Sequence, residues 1–325
     1  MTTLIVLFVV LASFGVYIIW MPGISHRGTL PELTHDEQIL SEKLATHVKK
    51  LAIEIGERNV NRISKLTEAR NYIRTTWEEH ALLVHEQEFS FGTARREKVS
   101  NLEVIFPSEG GAEVVVIGAH YDSALNCPGA NDNGSGVAAL LELAPRFKAK
   151  KFKRELRFVA FVNEEPPHFL TESMGSFVYA RVLRDQAIDV SAMLSIETIG
   201  YYSDENGSQQ YPFPFSLFYP DTGNFIGFVG NLKSGGLVRQ TVAAFRKTTK
   251  FPAEGVAAPA FIPGVGWSDH ASFWKHGYRA LMVTDTAPFR YPDYHLESDT
   301  PDKLDYARLA RVVDGLEHVI RDLVE

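Results

Sequence analysis

The apolar positions of the chain follow three patterns. From Leu4 to Met21 the chain reads "LIVLFVVLASFGVYIIWM", with no charge and only Ser13 and Gly15 to interrupt it. From about Asp36 to Ile55, and again from about Arg62 to His80, apolar residues recur every three or four positions, the spacing of helices that bury one face. Past residue 100 the pattern becomes short β-branched runs: Leu102–Phe106, Val114–Gly118, Leu156–Val162, Ala192–Ile196, Phe225–Val229 and Ala280–Thr284. Near-continuous apolar runs of this length predict buried strands. Helical stretches lie between them, at about Gly136–Lys150, Ser173–Asp185, Gly235–Lys250, Asp269–His276 and Asp302–Leu323. Strand and helix in alternation predict an α/β three-layer sandwich, a mostly parallel, twisted mixed sheet with helices on both faces, preceded by an N-terminal apolar helix. No repeat, low-complexity tract or linker divides the remainder, so residues 25–325 read as one domain and residues 1–24 as a separate segment.

As a helix at ~1.5 Å per residue, the first run nearly crosses a hydrocarbon core of ~30 Å. It reads as an uncleaved membrane anchor. The competing readings are a cleaved secretory signal and a buried core helix; against the signal, Met-Thr-Thr supplies no basic residue and the run ends in Ile-Trp-Met-Pro instead of small residues. A membrane-anchored protein with its domain outside the cytoplasm, in a periplasm or on the cell surface, is the expectation; cleavage would make it secreted. Lys and Arg on the two flanks are too few to set the orientation.

Composition changes this picture little. At 45% apolar and 22% charged residues the chain can bury an ordinary core. A net charge of -7, with no basic run beyond Lys148–Arg154, excludes nucleic acid as a partner. One cysteine, Cys127, excludes an intrachain disulfide and a thiolate metal site, so any metal must be held by His, Asp and Glu. Oligomeric state is not encoded in any of these features.

Ligands of open α/β sheets bind beyond the carboxyl ends of the strands. Charged residues stand at several of these ends. One apolar run ends in His120, with Asp122 two residues on; another leads into Glu164-Glu165; a third ends in Glu197. Asp132 lies in the Gly-rich turn before a helix, and His295 follows the strand ending near Asp285. Buried carboxylates repel one another unless a cation lies between them. Two histidines with three or four carboxylates are too many for one tetrahedral zinc and suit two ions bridged by a carboxylate. In the Glu164-Glu165 pair one carboxylate can then hold metal while its neighbour takes a proton from water.

The contexts "GAHYDS", "GANDNGSGVAALLELA", "FVNEE", "SIETIG", "SDHASFW" and "YHLESDTPDKLDY" resemble, in order and spacing, the M28 family of co-catalytic zinc peptidases, from about Asn101 to the C-terminus. The resemblance implies two Zn2+ ions per chain, with His120 and Glu197 on the first, Glu165 and His295 on the second, and Asp132 bridging. It implies Glu164 as general base, Asp122 orienting His120 from behind, and a cis peptide at Asp132–Asn133. Tyr294, beside His295, is a candidate donor to the tetrahedral oxyanion, and Asp269 a candidate hydrogen-bond partner near the site. The implied activity is removal of the first residue from peptides with a free N-terminus. This chain departs from the family pattern in three places. Many members carry Asp where Glu197 stands, the segment "EEPPHFLTESMGS" is longer than usual, and Leu296 follows His295 where Thr is common. Glutaminyl cyclases share the fold and most ligands but bind one zinc, and are expected to carry Trp where this chain has Tyr294. A non-catalytic homologue would have lost ligands, and none of the positions named is lost.

Overall fold

The computed structural model describes residues 15–91 and 97–325. Helix α1 (His35–Lys49) starts at Thr34, whose hydroxyl accepts from the Glu37 amide at 3.2 Å while the Glu37 carboxylate accepts from the Thr34 amide at 2.7 Å. A π turn (Lys50–Ile55) and α2 (Ile63–Glu79) follow. Then come β1 (Val84–Phe91), β2 (Glu97–Phe106), β3 (Glu113–His120), α3 (Gly136–Leu143), β4 (Glu155–Phe161), α4 (Gly175–Asp185) and β5 (Asp189–Glu197). The remainder is β6 (Ile226–Asn231), α5 (Gly235–Thr248), β7 (Ala253–Ala258), α6 (His270–Lys275), β8 (Ala280–Thr284), α7 (Ala287–Arg290) and α8 (Tyr306–Val324).

One sheet holds the eight strands of the described residues, in the order β1-β2-β4-β3-β5-β8-β6-β7. Its centre, β4-β3-β5-β8, is parallel; β2 and β6 attach to it antiparallel. Alternate residues of each strand serve opposite layers. Along β3, Val115 and Ile117 pack with Leu44 of α1, Leu140 of α3 and Val319 of α8. Val114 and Val116 point the other way, onto Tyr179 and Leu183 of α4 and Phe273 of α6. This two-sided burial is why the central strands read as unbroken apolar runs, and it gives the mixed α/β sheet with helices on both faces that the sequence predicts.

Because the central strands are parallel, their carboxyl ends emerge on one edge. His120 ends β3 opposite Phe161 of β4, and Glu197 ends β5 opposite Thr284 of β8. The N-terminal apolar helix expected over residues 1–24 falls largely outside the described residues. Residues 15–19 are helical, and among the described residues no helix is long and apolar enough to cross a membrane. The end of the run packs on the domain: Met21 is buried in the main core, where a Cβ added at Gly255 of β7 would lie 2.9 Å from its Sδ.

Candidate metal centre

His120 Nε2 lies 3.2 Å from Glu197 Oε2 and 3.3 Å from Asp132 Oδ1. On the other side of Asp132, Oδ2 is 2.9 Å from His295 Nε2, which is in turn 3.3 Å from Glu165 Oε2. Two groups of three residues that could each hold a metal ion, His120–Asp132–Glu197 and Asp132–Glu165–His295, therefore share Asp132. Glu164 belongs to neither group, and its Oε2 is 3.8 Å from His120 Nε2. Tyr294 stacks on the His295 ring with centroids 3.9 Å apart and planes 19° apart. Asp269 is fully buried at the start of α6.

The positions of these side chains follow from contacts that fix their backbones. Gly129 opens the Asp132 turn at φ 66°, where a Cβ would meet Asp132 O at 2.5 Å, so only glycine fits. The peptide Asp132–Asn133 is cis, as the resemblance implies. Asn133 Oδ1 accepts from the amides of Gly136 and Thr198, both at 3.1 Å, and its Nδ2 donates to Ile196 O at 2.8 Å, tying the turn to the end of β5. Asp299 accepts from the amides of Asn131 at 2.9 Å and Asp132 at 3.1 Å. Arg58, fully buried, donates to the carbonyls of Tyr121 at 2.8 Å and Gly129 at 2.8 Å, clamping the β3 loop onto the turn. Ser268 donates to Glu197 Oε2 at 2.7 Å. Asp122 lies behind His120, Oδ1 3.6 Å from Nδ1, and accepts from the Glu164 amide at 3.1 Å and the Glu165 amide at 3.0 Å.

Every resolved pKa shift here reflects crowding of charge away from water. Burial, reinforced by Asp132, pushes Glu165 up to about 7, and burial does the same to Asp269, which rises to about 7. Burial also drives Glu164 well above the carboxylate range, against the pull of His120. Burial alone would lower both imidazoles, but the carboxylates outweigh it: His120 stands well above its ordinary value and His295 rises to about 10. Asp132, between the two imidazoles, is held low despite its burial. His120 Nε2, Asp132 Oδ1 and Glu165 Oε1 are buried without a well-formed hydrogen bond. Unpaired ligand atoms on three sides of a carboxylate cluster are what divalent cations satisfy, so the residues fit a pair of metal ions.

Beside the cluster an apolar pocket of about 830 Å3, counted with its open mouth, runs from Glu197 and Tyr294 past Phe228, Met282 and Trp267 toward β7. The other conspicuous histidine of this region, His270, bonds Val265 O at 2.8 Å and packs edge-on against Trp274, which is a packing role. Thus the structure brings His120, Asp132, Glu164, Glu165, Glu197 and His295 together, with Asp122 and Tyr294 in direct contact with them. The sequence pattern assigns no positioning role to Arg58, Asn133, Ser268 or Asp299, which hold the site through the contacts above. Two of these, Asn133 and Ser268, stand directly beside Asp132 and Asp269, which is the signal that could find them.

The model of peptidase family M28 matches residues 101–320. An Escherichia coli K12 protein, YfbL, described as uncharacterized, is 36% identical over 322 residues, covering 96% of this chain and 95% of that one. The probable lipoprotein aminopeptidase LpqL of Mycobacterium tuberculosis is 31% identical over 70% of this chain and 46% of its own length. Among solved structures, the zinc aminopeptidase BSAP of Bacillus subtilis superimposes with a TM-score of 0.70 at 16% identity, over 91% of this chain and 96% of that one. The glutaminyl cyclase of Fimbriiglobus ruber does so at 0.65 and 18%, over 93% and 99%. The two superpositions establish a shared fold, while the family match and the full-length likeness to YfbL establish kinship: the chain belongs to peptidase family M28.

Proposed function

We propose that this hydrolase is a zinc-dependent aminopeptidase holding two metal ions per chain. The observation that carries the reading is the sharing of Asp132 by two three-residue groups, with Glu164 left free beside them. When bound, two zinc ions lower the pKa of water toward neutrality and polarise a carbonyl. The residues of the chain supply the rest. Glu164 takes the proton of the attacking water and delivers it to the leaving amine, a task open to a carboxylate that belongs to neither ligand group. Asp122 holds His120 and the Glu164 backbone in place. The Tyr294 hydroxyl donates to the oxyanion of the tetrahedral intermediate. The apolar pocket at Glu197 and Tyr294 receives the first side chain of the peptide, favouring large apolar residues. The start of the run Leu4–Met21 anchors the chain in a membrane, its last residues, Ile18 to Met21, packing on the domain, which lies outside the cytoplasm.

Metal titration of the chelator-treated protein, with hydrolysis of aminoacyl-anilides read at each step, tests this. Activity should rise up to two equivalents of zinc and be highest for leucyl, methionyl or phenylalanyl substrates. Full activity at one equivalent would remove the two-ion reading. Glutaminyl cyclization is a second reading, favoured by the shared fold with a cyclase at a TM-score of 0.65.

A further inference from the structure

The large apolar side chains left on the surface are concentrated in three segments. Ile24 and Phe261 at 87%, Phe213 at 85% and Leu217 at 70% are, with Leu83 at 73%, the most exposed among the described residues. Phe218, Trp20, Val16 and Trp267 add to the same three segments. All three are uncharged: "VYIIWMPGIS" at residues 16–25, "YPFPFSLFYP" at 211–220 and "APAFIPGVGW" at 258–267. Exposed apolar side chains on long uncharged stretches mark a surface that something covers.

These segments meet. Ile18 packs against the apolar cluster of Phe215, Ala258 and Val265, to which Tyr211, Tyr219 and Ile262 also belong. The first segment is fixed there by polar contacts: Tyr17 donates to Leu232 O at 3.2 Å, Arg239 donates to Tyr17 O at 3.1 Å, and Arg246 donates to Pro22 O at 3.1 Å. The face therefore lies beside the described end of the uncharged run, residues 16–21, next to the edge strand β7.

We infer that the loops 211–220 and 258–267 rest on the lipid bilayer, so that the domain sits on the membrane by this face. The inference rests on the membrane anchoring proposed for Leu4–Met21. If that run spans the bilayer, Trp20 lies at its emerging end, where tryptophan is favoured at the headgroup level. Val16 is then one turn deeper, ~6 Å at ~1.5 Å per residue. Ile18 lies between them and touches the Phe215 cluster, which ties the loops that carry Phe213, Leu217 and Phe261 to the emerging end of the run. Inward-facing residues of the same loops, Tyr211, Phe215 and Ile262 among them, wall the pocket beside the metal centre. Peptides presented at the membrane surface are accordingly the class of substrate the pocket meets.

The test uses the full chain reconstituted in phosphatidylethanolamine–phosphatidylglycerol vesicles. Cysteines at Phe261→Cys, Leu217→Cys and, as control near the opposite edge strand β1, Leu83→Cys are labelled with an environment-sensitive nitrobenzoxadiazole dye. The buried native Cys127 provides the labelling blank. Labels at 261 and 217 should emit blue-shifted and be quenched severalfold by doxyl-labelled lipids, while the label at 83 stays in water. Flotation with the vesicles but aqueous emission at 261 and 217 would overturn the docked face and leave the anchor standing. Blue-shifted emission without lipid quenching would also overturn it, since a second copy would then be covering the face. Failure to float at all would remove both the anchor and the docking.

Discussion

Asp122 Oδ1 accepts a hydrogen bond from the backbone amide of Glu164 at 3.1 Å. Its other oxygen accepts the Glu165 amide at 3.0 Å, and the carboxylate lies 3.6 Å from His120 Nδ1. One side chain thus sets the directions of a candidate ligand of each metal group and of the candidate base. Asp122→Ala should lower zinc affinity by about 10- to 100-fold, the usual cost of losing a group that orients a ligand. Turnover should fall with it. Asp122→Asn, which keeps one acceptor oxygen, should lie between, as competition with a chelator would read. Unchanged zinc affinity in the alanine variant would remove the positioning role.

Glu164 and Glu165 are neighbours in sequence with different surroundings. Glu165 is within 3.3 Å of His295, whereas Glu164 faces His120 at 3.8 Å and belongs to neither metal group. Glu164→Gln should keep its metal content and lower kcat by about 10²- to 10⁴-fold. Glu165→Gln should lose metal. Elemental analysis after gel filtration, paired with kinetics, separates the two, and metal loss in the Glu164 variant would exchange the roles.

Removing the metals should make stability depend on pH in a defined direction. In the metal-free protein Glu165 and Asp269 stand at about 7, raised by burial, and His295 at about 10, where Asp132 and Glu165 outweigh its burial. Unfolded values are ~4.3, ~3.9 and ~6.5. A raised folded pKa gives stability that is complete below the unfolded value and is lost as pH rises through the folded one. Stability therefore falls from about pH 4 to 7 through the carboxyls, and from about pH 6.5 to 10 through His295. Asp132 is depressed, so its contribution is lost only in acid and is constant across the neutral range. Cations in the cluster replace the missing protons, and the Tm gained on adding zinc should be larger at pH 8.5 than at pH 5.5. Melting curves of chelator-treated and zinc-loaded protein at both values read this directly; an equal gain would contradict it.

Much of this molecule can be read from its sequence, and the parts that cannot have physical reasons. The strands β3, β4, β5 and β8 are buried on both faces, so their runs are mostly apolar, and the charged residues at or just beyond their ends stand out. The edge strands carry no such signal. β1 reads "VHEQEFSF" and leaves much of its length exposed, while β7 reads "AEGVAA", poor in the β-branched residues that mark strands. Ligand-type residues at the site were legible because they are strange in an apolar context. Arg58 and Asp299 were not, because they act through backbone carbonyls and amides, and nothing in sequence shows which distant peptide a buried side chain will meet.

The end of the apolar run belongs to the folded core. Met21 is 8% exposed and packs against β7, and Ile18 joins the cluster beneath the pocket loops. Removing residues 1–14 should leave the stability of the domain unchanged. Removing residues 1–24 takes Met21 with it and should cost about 1.5–3 kcal/mol, the worth of a buried side chain of that size. Urea denaturation of the two truncated proteins measures the difference, and equal midpoints would mean that Met21 contributes nothing.

The last prediction separates hydrolysis from cyclization and rests on what each reaction requires of these residues. Hydrolysis needs a water between the two groups that share Asp132, and a free carboxylate to take its proton; Glu164 is placed for that. Cyclization of an N-terminal glutamine needs no water. One cation suffices to polarise the γ-amide, and the glutamate carries the proton of the attacking amine to the departing ammonia. The neighbouring pocket adds a second discriminator, because its walls of Phe228, Met282 and Trp267 suit bulky apolar side chains better than a glutamine carboxamide. A Gln-initiated peptide and its Leu-initiated counterpart, incubated with the zinc-loaded protein and weighed by mass spectrometry, give distinct outcomes. Loss of the whole first residue, faster from the leucyl peptide and abolished by N-acetylation, is the expected result. Loss of ammonia alone from the glutaminyl peptide, with activity complete at one equivalent of zinc, would assign the site to cyclization instead.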